Sequence, residues 1–266
     1  ALRTVLARRC GMDLLDRGRE MGMPLAFVQV GASNVDDAES PAELLPIGNM
    51  DTAARSLQGA KVVDLSALWA GPLCAHLLQR CGAEVTSVSS VQRPDGSQQG
   101  NPVLYQELHA GHEHLVLDFE DAAQRRQLAR SLASADVVIE GSRPRALRQL
   151  GLDRRSLEIN NPQVWLSITA YGRTPPADQW VGFGDDVAVS SGLLHWDERG
   201  HPQFVGDAIA DPLTGVYGAL AVVESLAQGR SGLLDVSMAS IARLCRQKIL
   251  AAGQDIVCPL SAATSC

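Results

Sequence analysis

Two hydrophobic periods alternate along this chain, and the clearest switch between them spans Lys61 to Ser90, KVVDLSALWAGPLCAHLLQRCGAEVTSVSS. Val62, Val63, Asp64 and Leu65 form a short run of strand character. Gly71-Pro72 then places a proline where a helix starts without losing a hydrogen bond. Leu73 to Arg80 is helical in pattern, and Gly82 tolerates the left-handed stop that ends a helix. Val85 to Val88 follows as a second apolar strand. A strand–helix–strand unit builds a parallel sheet and leaves a ligand crevice at the carboxyl end of its first strand.

The alternation continues downstream. Strands are expected at Leu115 to Phe119, Asp136 to Ile139, Trp165 to Tyr171 and Leu233 to Val236. Helices are expected at Asp121 to Ala133, with acidic residues near its start, and at Pro144 to Leu150, ended by Gly151. Asp211 as N-cap and Pro212 in the first turn open a long helix reaching about Gln228. Upstream, residues 1 to 30 read as a charged helix and a compact apolar run, MPLAFVQV, expected as a short strand. Residues 31 to 57 are turn-rich and acidic, a linker in pattern. The expectation is an α/β fold in three parts: a lead-in and linker over 1–57, a large domain over 58–243 and a tail over 244–266.

Composition narrows the function classes. A chain of 266 residues buries a sizeable core in one large domain. A net charge of −7 argues against nucleic acid or an anionic membrane as partner. No apolar run approaches the roughly 20 residues that span a bilayer, and ALRTVLARRC shows no secretory signal. The six cysteines form no CxxC pair, so a reduced, cytoplasmic setting is expected. No metal site is expected either. His109, His112 and His114 precede a strand at a spacing that does not converge on one ion, and solvent exposure is their expected state.

Several ordered motifs carry a resemblance. DLSALWAGPLC with GAEVTSV, then HAGHEHLVLDFED, ADVVIEGSRPRALRQLGLD, NPQVWLSITAYGR, GDAIADPLTGVYGAL and GRSGLLDVSMAS resemble the class III CoA-transferases, over about residues 58 to 243. That family includes formyl-CoA and carnitine CoA-transferases and the alpha-methylacyl-CoA racemases. The resemblance implies a Rossmann-like parallel sheet flanked by helices. It also implies an interlocked homodimer acting on an acyl-CoA and a small carboxylic acid, with coenzyme A as substrate rather than cofactor. The family's smaller domain is expected to be missing or vestigial. Residues 14 to 41 look like the family's carboxyl-terminal tail placed in front, or are an unrelated helical lead-in.

The implied chemistry needs a carboxylate nucleophile that attacks the thioester, giving a mixed aspartyl anhydride and CoA thiolate. The thiolate returns to form an aspartyl-CoA thioester, which the acceptor carboxylate resolves. Backbone amides must hold the developing oxyanion. By resemblance the nucleophile is Asp197, beside Trp196 in a Trp-Asp turn; the alternative is that WDERGHP is a polar hairpin turn. Asp185 in VGFGDD is the second acid, a helix cap or a base. The racemase reading also wants a histidine ahead of ITAYG, and none lies between His114 and His195.

Coenzyme A brings a pyrophosphate and a 3′-phosphate, which call for cations and free amides. Arg143, Arg145 and Arg148, with Ser142, match the family's contact region; a solvated arginine face is the alternative. Leu68, Trp69 and Ala70 occupy its first CoA loop, Arg93 follows the second strand, and Leu117 to Glu120 match another contact strip. No Gly-Gly pair supplies the family's mobile glycine loop. The rival reading is a non-catalytic CoA-ester-binding or assembly subunit that pairs with a full-length paralogue.

Overall fold

The structure, a computed structural model, describes Thr4 and residues 6–28, 42–45 and 52–253. Its centre is a seven-stranded sheet: β1 (Ala42–Leu45), β2 (Lys61–Asp64), β3 (Glu84–Ser90), β4 (Glu113–Leu117), β5 (Val137–Glu140), β6 (Val164–Thr169) and β9 (Gly232–Ser237) in the order β1-β9-β6-β5-β2-β3-β4. Two short strands, β7 (His195–Trp196) and β8 (Pro202–Gln203), pair separately as an antiparallel hairpin. All neighbours in the large sheet run parallel except β1, which pairs antiparallel with β9. Leaving β1 aside, the chain winds outwards first to one side of β2 and then to the other. That is doubly wound, Rossmann-like order, with its switch point between β2 and β5.

The central strands β5 (VVIE) and β6 (VWLSIT) are buried at every position, as strands covered on both faces must be. Helices α2 (Ala70–Arg80), α7 (Gly184–Ser190), α8 (Ala210–Ala227) and α9 (Met238–Ala251) cover one face, around Cys74, Leu78, Leu166, Val187, Val222 and Ile241. The other face carries α5 (Ala122–Ser134) and α6 (Pro144–Leu150), packed around Leu128, Leu132, Leu147 and Trp165. Three further helices are α1 (Gly11–Glu20), α3 (Ser97–Gly100) and α4 (Pro102–Leu108).

Several expectations are corrected. Helix α2 begins at Ala70 rather than Leu73, so Pro72 lies inside its first turn. The linker contributes β1, and the tail contributes most of α9. Residues 23–28 of the apolar run carry no strand pairing; Gln29 and Val30 and most of the linker lie outside the described residues. His109 and His112 are buried rather than exposed: the His109 ring stacks on Tyr105, and Nδ1 of His112 is 2.9 Å from Oγ of Ser87. Burial and the neighbouring imidazoles of His109, His76 and His114 push His112 down to about 4. Among the described residues no group of histidine, cysteine and carboxylate side chains is arranged to hold a metal ion.

Candidate active site

The loop after β2 forms the wall of the crevice at the switch point. Asp64, buried at the strand end, accepts the N–H of Ser66 at 2.9 Å, which turns the chain towards α2. Gly71 lets the start of α2 close on that turn, since a Cβ there would collide with Oγ of Ser66. Beside it lies a groove of about 400 Å³ at the carboxyl ends of β2, β3 and β4, mostly apolar, with Ser66, Ala67, Arg93, Asp95, Phe119 and Ser142 among its lining. Its size is that of a small-molecule cleft.

The expected binding residues divide here. Arg93 and Ser142 line the groove, whereas Leu68, Trp69 and Ala70, which follow the lining residue Ala67 into α2, do not. Leu117 does not reach it: the side chain is 4% exposed in the core, and Phe119 and Glu120, just beyond the strand, line the groove instead. Arg143 and Arg145 are exposed and line neither this groove nor its polar neighbour. Arg148 faces that second, polar cavity with Arg154, Arg155, Arg173, Glu140 and Asp235. There Arg173 pairs with buried Glu140 at 3.1 Å.

Asp197 occupies the turn between β7 and β8, outside the large sheet. Its Oδ1 accepts the N–H groups of His201 at 2.8 Å and Arg199 at 2.9 Å, and these, the His201 bond foremost, hold its carboxyl below the usual range. A carboxylate spent on its own turn is a poor nucleophile. The hairpin-turn role, the other one open from the sequence, accounts for these contacts. Asp185 accepts the N–H of Ala208 at 2.9 Å and so ties α7 to the segment entering α8. The cap of α7 is made instead by Asp186, which accepts the N–H of Phe183 at 2.7 Å and the hydroxyl of Tyr171 at 3.1 Å.

Asp211 is a candidate acid that sequence reasoning treats only as a cap. The pattern makes it an N-cap, but α8 starts one residue before it, with Ile209 at the cap position. Asp211 is therefore inside the first turn, and its carboxylate faces the backbone N–H groups of Gly184 and Ala70, the first residues of α7 and α2. The approach is close, because a Cβ on Gly184 would collide with Oδ2 of Asp211. Burial, with Asp185 and Asp186 adding like charge, pushes Asp211 up to about 6 despite those two donors. A half-buried carboxylate with a raised pKa beside two helix starts is a candidate nucleophile. The available signal is the ADPLTG segment itself, which has an acid at a helix start next to a small-residue face.

Residues 57–256 match the sequence profile of CoA-transferase family III. The chain belongs to that family. A succinate–glutarate CoA-transferase of Agrobacterium fabrum is 30% identical over 211 residues, covering 70% of this chain and 53% of that protein. The human succinyl-CoA:glutarate CoA-transferase is 28% identical, covering 74% of this chain and 48% of its own length. The crystal structure of a CaiB/BaiF family protein from Brucella suis superposes with a TM-score of 0.65 at 28% identity, covering 77% of this chain and 60% of that one. This family III chain thus spans about half the length of the curated relatives it matches.

Proposed function

We propose that this family III chain transfers coenzyme A between an acyl-CoA and a carboxylic acid, with Asp211 as the nucleophile. The close approach of the Asp211 carboxylate to Gly184 at the start of α7, together with its raised pKa, carries the reading. In the first step a carboxylate oxygen of Asp211 bonds to the thioester carbonyl carbon and the C–S bond breaks, releasing CoA thiolate and leaving an aspartyl anhydride. The thiolate then attacks the aspartyl carbonyl and frees the donor acid, giving aspartyl-CoA. The acceptor carboxylate attacks this thioester to form a new anhydride, from which returning thiolate takes the acceptor acyl group. In this reading the amides of Ala70 and Gly184 stabilise the oxyanions that develop on its carbonyl. In the same reading the groove bounded by Arg93 and Ser142 takes part of the CoA. The exposed Val216, Leu220 and Val223 on α8 agree with the dimer that the family likeness implies.

The test is incubation with an acyl-CoA, hydroxylamine trapping and mass spectrometry. The hydroxamate is expected on the peptide containing Asp211. Asp211→Asn is expected to lower transfer by about 10³-fold or more, with Asp197→Asn within about threefold of wild type. A modified Asp197, or full activity in Asp211→Asn, would overturn the assignment. A chain that binds CoA yet takes up no acyl group would be a binding subunit.

A further inference from the structure

The crevice loop contains a leucine in a backbone conformation that leucine disfavours. Leu68 has φ +71°, the left-handed region in which a Cβ crowds the following carbonyl. The residue is 41% exposed, so core packing does not hold it there. One carboxylate does. The Leu68 N–H faces both oxygens of Asp95, at 3.2 and 3.1 Å. Asp95 is itself buried and fixed, because its Oδ1 also accepts the N–H of Ser97 at 2.8 Å and the Ser97 hydroxyl at 2.7 Å. Its side chain lies in the wall of the groove with Arg93 and Ser66.

We propose that Asp95 is a positioning residue for coenzyme A, acting through Leu68. By accepting that N–H it keeps the segment from Ser66 to Ala70 in one shape, which sets the groove wall at Ser66 and Ala67. The same shape sets where α2 begins, at Ala70. Two backbone N–H groups and a hydroxyl solvate the carboxylate, and Arg93 in the same lining supplies the positive charge that a polyanion needs. Without Asp95 the Leu68 backbone relaxes towards an ordinary negative φ and the loop swings with it. This inference deepens the transfer reading and rests on it.

The experiment measures CoA affinity by calorimetry and steady-state transfer on the full chain carrying Asp95→Ala, Asp95→Asn, Leu68→Gly, or Leu68→Gly with Asp95→Ala. Asp95→Ala is expected to weaken CoA binding about tenfold and to raise KM more than it lowers kcat. Asp95→Asn keeps one acceptor for the Leu68 N–H and is expected to fall between. Glycine adopts the left-handed conformation without Cβ crowding, so removing Asp95 from the Leu68→Gly chain is expected to cost under about threefold. Equal losses in both backgrounds, or unchanged affinity in Asp95→Ala and Asp95→Asn, would overturn the positioning role while leaving the transfer reading intact. Failure of the wild-type chain to bind CoA would remove the transfer reading, and this inference with it.

Discussion

Asp211 is the nucleophile in the proposed reaction, and its ionisation sets a measurable limit. Burial favours the neutral acid, so the folded pKa near 6 lies above the ordinary carboxylate value, and the nucleophilic anion is lost as pH falls through about 6. The logarithm of kcat/KM is therefore expected to fall with unit slope below about pH 6, and a rate–pH profile with a flat acid limb down to about pH 4 would contradict the role. The sign for stability is opposite. A raised folded pKa means that ionising Asp211 costs stability as pH rises from about 4 to about 6. Neither property is visible in the sequence. Asp211 and Asp197 are both acids beside turn-forming residues, and only the position of the α8 start and the approach of Gly184 distinguish the engaged side chain from the poised one.

At the scale of elements, the site is a meeting of helix starts: α2, α7 and α8 bring Ala70, Gly184 and Asp211 together. Gly184 is required by space. A methyl group there would run into Oδ2 of Asp211 and the carbonyl oxygen of Ala208. Gly184→Ala is expected to destabilise the fold by about 1–3 kcal/mol and to lower kcat/KM by about 10²-fold; thermal melts and steady-state rates check both, and a variant with wild-type rates would refute the close fit. The large elements are legible because buried parallel strands such as VVIE and VWLSIT are nearly continuous apolar runs, and because Asp121, Pro144 and Gly151 mark helix ends clearly. Strand β1 is not legible, since AELL in an acidic, turn-rich stretch acquires strand character only by pairing with β9. The short helices α3 and α4 escape detection because their sequences carry no apolar period. The groove is half legible: the loop after β2 and Arg93 follow from topology, whereas Leu117 points inwards and the Phe119 and Glu120 positions after the strand do the lining.

For the whole molecule, acid stability is expected to depend on the buried imidazoles between α4 and β4. His112 has a folded pKa near 4 against an unfolded value near 6.5, so its contribution is complete above about pH 6.5 and is lost as pH falls towards 4. His112→Gln, which removes the titrating group, is expected to flatten the decline in unfolding free energy across that window by about 2 kcal/mol relative to wild type. Denaturant curves at about pH 7 and about pH 4.5 measure it, and parallel declines in the two proteins would rule out this source. Strand β1 bears on the whole molecule in another way. Residues encoded ahead of the doubly wound unit finish its far border, so β9, apolar along much of its length, is never a bare flank. The lead-in thus moves that edge from a six-residue strand to a four-residue one bearing Glu43, a shorter template for another chain.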